Sequence, residues 1–374
     1  MIYLDYAASS PPFPEVVERV RTIASGAFGN PGAIHRAGAE SRKILQNSRN
    51  VLAQLTNVRA EEIFFTSGGT ESNNWAVSVG SAYPGRSHIL CSAAEHSSVL
   101  ASVENLRQKG YNVTYLNPNR DGLITPEAVE AAIRPDTALL CVQAVNNETG
   151  VVQDVDALAD VAKKHRARYF CDAVQSFGHV GQNLQKADLI SLSAHKLGGP
   201  RGVGCLIVRQ PLNPQPMILG GGQEFGLRSG TENVPGIGGF ALAAQLSCAR
   251  QAEEQTRLEG LRNRLETELQ ALVPQVQIAG GNAPRSSIFC CRFPGISAEE
   301  MVVQLDLLGI CASPGAACGA RSAKPSHVLL SMGYTPEEAS QFLRFSLGRD
   351  TAWEQLERTL SAIGQICSKR RITS

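Results

Sequence analysis

Short apolar runs of about four to eight residues alternate with longer segments whose apolar positions recur every three or four residues, and this alternation persists along most of the chain. The short runs predict strands at Ile2–Asp5, Glu62–Thr66, His88–Cys91, Asn112–Leu116, Ala138–Val145, Arg168–Asp172, Leu189–Leu192 and Cys205–Val208. Between them the helical spacing predicts Glu15–Ile23, Ala37–Leu55, a helix opening near Ser72, another from Ala94–Ser98 to Lys109, then Pro126–Ile133 and Asp156–His165. Strands that alternate with helices in this way specify an α/β fold with a mostly parallel sheet. From Pro235 a helix runs for nearly forty residues, with Leu258, Leu261, Leu265, Leu269 and Leu272 along one face. A second α/β unit follows: strand Ser286–Phe293, helix Ala298–Leu308, strand Gly309–Ala312, strand Phe342–Leu347 and helix Ala352–Cys367.

Polar residues cluster just after the predicted strands, where an open α/β sheet forms its ligand cleft. Ser67-Gly-Gly-Thr70 leads a strand into a helix start, where unpaired amides, a hydroxyl and the positive end of the helix converge on an anion. Ala94-Glu-His96 and Asn146-Asn-Glu-Thr-Gly150 follow two further strands. Asp172 ends an apolar strand, a costly place for a carboxylate without a cationic partner, which an arginine or a protonated cofactor ring supplies. Ser193-Ala-His-Lys196 ends the next strand beside a glycine-rich turn. A lysine so placed suits phosphate, a carboxylate or a Schiff base with an aldehyde cofactor. The glycine-rich stretch Gly220–Asn233 is too long for an idle turn. Arg344, within an apolar strand, calls for a carboxylate from protein or substrate.

Composition narrows the function classes. The chain has 374 residues, room for a large domain and a smaller one, and its 35 basic and 34 acidic residues nearly cancel, so charge points to neither nucleic acid nor a membrane surface. Without a signal-like start or a membrane-length apolar run, it reads as soluble and cytoplasmic. Of the ten cysteines, Cys91, Cys141, Cys171, Cys205, Cys290 and Cys291 fall inside apolar strands and read as reduced core residues, and no zinc or dithiol spacing is present. Cys318 differs, because it sits in a small-residue loop where a thiol can reach solvent.

Taken together, these segments resemble the cysteine desulfurase family, pyridoxal-phosphate enzymes of the fold-type I transferase class related to the class-V aminotransferases. The resemblance spans nearly the whole chain and rests on Tyr3-Leu-Asp-Tyr-Ala7, Phe28-Gly-Asn-Pro31, Thr66-Ser-Gly-Gly-Thr-Glu-Ser-Asn73, Glu95-His96, Asn146-Asn-Glu-Thr-Gly150, Asp172-Ala-Val-Gln175, Ser193-Ala-His-Lys196, Arg228-Ser-Gly-Thr231 and Arg344-Phe-Ser-Leu347. It implies a large cofactor-binding domain over 14–250 and a small one built from 1–13 and 251–374. It implies that Lys196 carries the cofactor and later moves protons, that Asp172 pairs with the ring nitrogen, that Gln175 bonds the ring hydroxyl and that His96 stacks on the ring. Gly69, Thr70, Ser193 and His195 are then expected to hold the phosphate, with Thr231 reaching in from the second subunit of a homodimer, and Asn147 and Arg344 to orient the substrate.

The expected reaction takes sulfur from L-cysteine, leaves L-alanine and forms a persulfide on Cys318, whose setting Gly315-Ala-Ala-Cys318, with Arg321, Lys324 and His327 after it, is similar to the long-loop branch. A selenocysteine lyase, another carbon–sulfur lyase or an aminotransferase on the same cofactor is the alternative. The chain stops at Ser374 soon after its last helix, without the extended tail that many family members use to dock an iron–sulfur scaffold. The sulfur-acceptor protein is therefore open between iron–sulfur assembly, thio-cofactor synthesis and tRNA or DNA sulfur modification.

Overall fold

The computed structural model describes residues 1–315 and 325–373, and the side chains up to 368. Its centre is a seven-stranded sheet in the order Ile63–Thr66, Gly204–Val208, Leu189–Ser193, Arg168–Asp172, Thr137–Cys141, His88–Ser92, Asn112–Leu116. Strand pairs from Leu189–Ser193 through Asn112–Leu116 are parallel, and only Gly204–Val208 runs against its neighbours. This is the mixed, mostly parallel sheet of a fold-type I transferase.

Side-chain alternation along the strands explains why helices cover both faces. Leu90, Leu140, Cys171 and Ile190 point into one core with Leu52, Leu158 and Phe240, while Ile89, Leu139, Phe170 and Leu189 point into the other with Trp75, Val99 and Val103. Cys91, Cys141, Cys171, Cys205, Cys290 and Cys291 are buried free thiols, as their apolar surroundings predict.

A third core gathers the last part of the chain. An antiparallel sheet orders Ser313–Pro314, Phe342–Ser346, Ile288–Arg292 and Gln277–Ile278, and the first strand, Ile2–Tyr3, pairs in parallel with Ile310–Cys311. Ile2 and Leu4 therefore pack with Phe289, Met301, Phe345 and Leu356. The long helix Val234–Leu272 gives Ile237 and Phe240 to the first core and Leu258, Leu265 and Leu269 to this one. Among the described residues, no helix is long and apolar enough to cross a membrane.

Two differences from the sequence pattern matter for the site. The helix expected near Ser72 starts at Gly69 and spans Gly69–Ser81. Gly68, at φ 149°, turns the strand into the helix in a conformation open to glycine, so Gly69 and Thr70 occupy its first turn. The strand expected to reach Val145 stops at Cys141. The amide of Gln143 bonds the carboxylate of Glu95 at 2.7 Å instead of the strand His88–Ser92, while Val142 and Ala144 still donate to Phe170 and Asp172 at 3.2 and 2.9 Å.

The Gly220–Asn233 stretch is irregular as expected, apart from the short turn Glu224–Gly226, and it is anchored by ion pairs. Buried Arg49 meets buried Glu224 through two hydrogen bonds of 2.9 and 2.6 Å, and Glu224 also accepts from the Phe65 amide at 2.8 Å. That grip holds Glu224 and Phe225 at positive φ, 47° and 60°. Arg228 forms a second bidentate pair with Glu71, at 2.7 and 3.1 Å. Removing one partner of a buried pair strands the other charge, so Arg49→Ala should lower unfolding free energy by about 3 to 5 kcal/mol in chemical denaturation. A loss under about 1 kcal/mol would show that the pair does not hold the segment.

Glu95 is fully buried, with Oε1 accepting from Gln143 and, among the described residues, no partner at Oε2. Burial, opposed by the Gln143 amide and reinforced by the nearby Asp172 charge, pushes its carboxyl up to about 8. An acid whose folded value exceeds its unfolded value of 4.5 stabilises the fold fully below that pH, and the contribution is lost as pH rises through about 8. Glu95→Gln should therefore flatten the decline in stability between about pH 5 and pH 8, by up to about 5 kcal/mol. Denaturation of both proteins at the two pH values checks this, and parallel pH slopes would contradict it.

Candidate active site

The strands Ile63–Thr66, His88–Ser92, Thr137–Cys141, Arg168–Asp172 and Leu189–Ser193 run in one direction, so the turns after them gather at one edge of the sheet. They enclose a cavity of about 530 Å³, within the range of small-molecule sites. Gly69 and Thr70, His96, Asn147, Asp172 and Gln175 all line it, as do Ser193, His195, Lys196 and Arg344. Sequence positions far apart are thus collected by topology alone.

Asp172 is buried at the end of its strand and receives two neutral donors. Asn73 Nδ2 donates to Oδ2 at 2.7 Å and the Val174 amide to Oδ1 at 3.0 Å. Among the described residues, no arginine takes the role that the sequence left open for this carboxylate: its donors come from an amide side chain and the backbone. The same Asn73 nitrogen donates to Ser98 Oγ at 2.9 Å, and Ser98 Oγ lies 2.7 Å from His96 Nδ1. His96 Nδ1 also accepts from the Ser98 amide at 3.2 Å, so the ring presents Nδ1 as an acceptor and a neutral imidazole carries its proton on Nε2. A directed chain of hydrogen bonds therefore links the carboxylate to the histidine.

Neither Asn73 nor Ser98 was assigned from the sequence. Asn73 follows Thr70 by three positions on one helix, which places it on the same face one turn further in. That spacing was the available signal. Its Oδ1 is buried without a partner among the described residues, and so is the hydroxyl of Ser193.

Lys196 stands in a short turn, Ala194–Lys196, straight after its strand. Its ammonium nitrogen donates to the carbonyl of Ala7, and to that of Ala8 at 2.9 Å. Gln175 Nε2 donates to the Ala7 carbonyl at 2.9 Å, so the N-terminal arm lines the cavity, held by both side chains. Burial, aided by the adjacent Lys196 and Arg201 charges, lowers His195 to about 4, which keeps its ring neutral near pH 7.

Arg344, buried in Phe342–Ser346, donates to Asp5 Oδ1 at 2.7 Å and to the Asn147 carbonyl at 3.0 Å. Protein thus supplies a carboxylate for this guanidinium. Beside it, burial raises the carboxyl of Glu148, while Ser326, His327, Arg344 and His96 act in the opposite sense.

Two expected site residues are not in this cavity. Thr231 is exposed and lines a separate recess with Ser67 and Arg228. Cys318 lies outside the described residues.

Comparison with known proteins agrees with this geometry. Residues 2–359 match the family model of aminotransferase class-V. The cysteine desulfurase IscS of Dictyoglomus turgidum is 38% identical, with 100% of this chain and 96% of the relative covered. A solved NifS-like protein superimposes with a TM-score of 0.91 at 32% identity, covering 98% of this chain and 99% of that one. SspA, solved in complex with cysteine, superimposes with a TM-score of 0.80 at 34% identity, over 93% of this chain and 99% of that one. Cavity, strand order and similarity over the full length lead to one conclusion: this chain belongs to the cysteine desulfurase family of the class-V aminotransferases.

Proposed function

We propose that in this cysteine desulfurase Lys196 holds pyridoxal 5′-phosphate covalently in the cavity at the strand ends, and that Cys318 receives the sulfur. The observation that carries the cofactor assignment is the pairing of a buried Asp172 carboxylate, bonded to neutral donors, with a lysine amine across the same cavity. Such a carboxylate suits a protonated ring nitrogen. Bound pyridoxal phosphate supplies an aldehyde that captures an amine and a ring that accepts the electron pair released at the substrate α-carbon.

The chain's own residues fit that group. Unpartnered Ser193 Oγ lies with Gly69 and Thr70 at the start of the helix Gly69–Ser81, where amide dipoles favour a phosphate. A side chain at Gly69 would bring its Cβ to 3.0 Å from Val174 Cγ2, which crowds the cradle. Neutral His195 adds a hydrogen bond without an added charge. Gln175 bonds the ring hydroxyl, and His96, fixed by Ser98, covers the ring face. Asn147 and Arg344 orient the substrate, Arg344 sharing its guanidinium between Asp5 and the substrate carboxylate. Lys196 moves the α-proton once substrate has displaced it.

In the balance of the reaction, L-cysteine and the Cys318 thiol become L-alanine and a Cys318 persulfide, so no outside oxidant is needed. The sulfur then passes to an acceptor protein. Residues 14–250 hold the cofactor, and residues 1–13 with 251–374 carry the thiol. Thr231, exposed and held out by the Arg228–Glu71 and Arg49–Glu224 pairs, completes the phosphate site of a second copy in a homodimer.

Cys318→Ala should keep cofactor absorbance while cysteine-dependent alanine formation falls roughly 100-fold or more, with no sulfur added to the intact protein mass. Retained alanine and sulfide production would favour direct carbon–sulfur lysis instead. Thr231→Ala should weaken cofactor binding roughly 10-fold, the size of one lost hydrogen bond to a charged group. Co-expressing Lys196→Ala and Thr231→Ala chains should restore one intact site per mixed dimer, and activity no higher than that of Thr231→Ala alone would place Thr231 in its own subunit's site or outside both.

A further inference from the structure

Glu148 is the point where both described ends of the segment bearing Cys318 meet the substrate side of the cavity. It follows Asn147 in the turn after Thr137–Cys141, and its amide is held by Asn146 Oδ1 at 2.9 Å. Its Oε2 accepts from Ser326 Oγ at 2.5 Å, with both residues buried. On the other side of residues 316–324, Gly315 passes so close that a Cβ there would sit 3.4 Å from the same oxygen. His327 Nε2 donates to the Glu95 carbonyl at 2.8 Å, which ties the same end to the turn that carries His96. Ser313, two residues before Gly315, pairs directly with Arg344. One carboxylate therefore sits between the arginine and asparagine expected to face substrate and the two stems of the thiol segment.

Chain geometry explains why a fixed base is needed. A nucleophile must come within about 3 to 3.5 Å of its target in line, and a displacement near 1 Å costs roughly 100-fold. Gly315 and Ser326, the described residues that flank Cys318, are where the fold holds the chain that bears it.

We propose that Glu148, together with Ser326 and His327, forms a positioning clamp for the stems of the Cys318 segment, acting on sulfur transfer to Cys318 and not on capture of cysteine. The proposal rests on Cys318 as the sulfur acceptor, as proposed above. Glu148 is not among the described residues that line the cavity, so its effect passes through the stems. Glutamine at this position keeps an acceptor for the Ser326 hydroxyl, whereas alanine leaves that hydroxyl buried without one.

Rapid mixing of cofactor-loaded protein with L-cysteine separates the two steps. Capture is read as the cysteine-induced change in cofactor absorption, and transfer as the rate at which acid-quenched protein gains sulfur on Cys318 by peptide mass. Glu148→Ala should leave the cysteine dependence of capture within about twofold and slow transfer roughly 30- to 100-fold, while Glu148→Gln recovers most of the rate. His327→Phe, which spares Glu148, should slow the same step roughly 5- to 10-fold and stands in if Glu148→Ala fails to fold. Equal losses in capture and transfer would reduce Glu148 to a general structural role. Unchanged transfer would overturn the clamp outright. Wild-type protein that never gains sulfur on Cys318 would instead remove the acceptor assignment, and the clamp with it.

Discussion

A carboxylate taken out of water at the end of a central strand must find compensating charge, and the site is arranged around that demand at Asp172. Asn73 and the Val174 amide fix its two oxygens without neutralising it. Because neutral donors orient a charge and leave it intact, Asp172 retains a strong preference for a cation within the cavity. Asn73 and Ser98 extend the same order to His96, so Asp172 and the imidazole are set by one hydrogen-bonded chain.

Lys196 and Arg344 are joined mechanically by the N-terminal arm. Ala7 and Ala8 accept from Lys196, Asp5 pairs with Arg344, and the Ala7 amide donates to Ser346 Oγ at 2.9 Å. The residues that start the chain thus lie between the main sheet and the strand Phe342–Ser346 that bears the arginine. Movement of either the lysine amine or the guanidinium would break a contact to this arm. It is a short path between the two halves of the site.

Much of this was legible in the sequence because strand ends announce themselves. The alternation of apolar runs with helical periods gave the parallel sheet, and a polar cluster after each run marked the edge where Gly69, His96, Asp172 and Lys196 meet. What could not be read was side-chain partnership across long separations. Nothing local to Arg344 points to Asp5, and nothing near Arg49 points to Glu224, since both pairs depend on three-dimensional closure of distant segments. The early start of Gly69–Ser81 depended on a glycine backbone angle, and the early end of Thr137–Cys141 on a glutamate side chain capturing a strand amide. Periodicity carries neither signal. Asn73 shows a middle case, visible as a motif position but without a role until its two acceptors are in place.

The central claim is that the amine of Lys196 holds an aldehyde in this cavity. Borohydride reduction of the protein loaded with pyridoxal 5′-phosphate, followed by peptide mapping, tests it most directly. The expected result is a pyridoxyl group on the peptide containing Lys196, absent from Lys196→Ala. A loaded protein that yields no adduct there, or yields it on another lysine, would contradict the assignment.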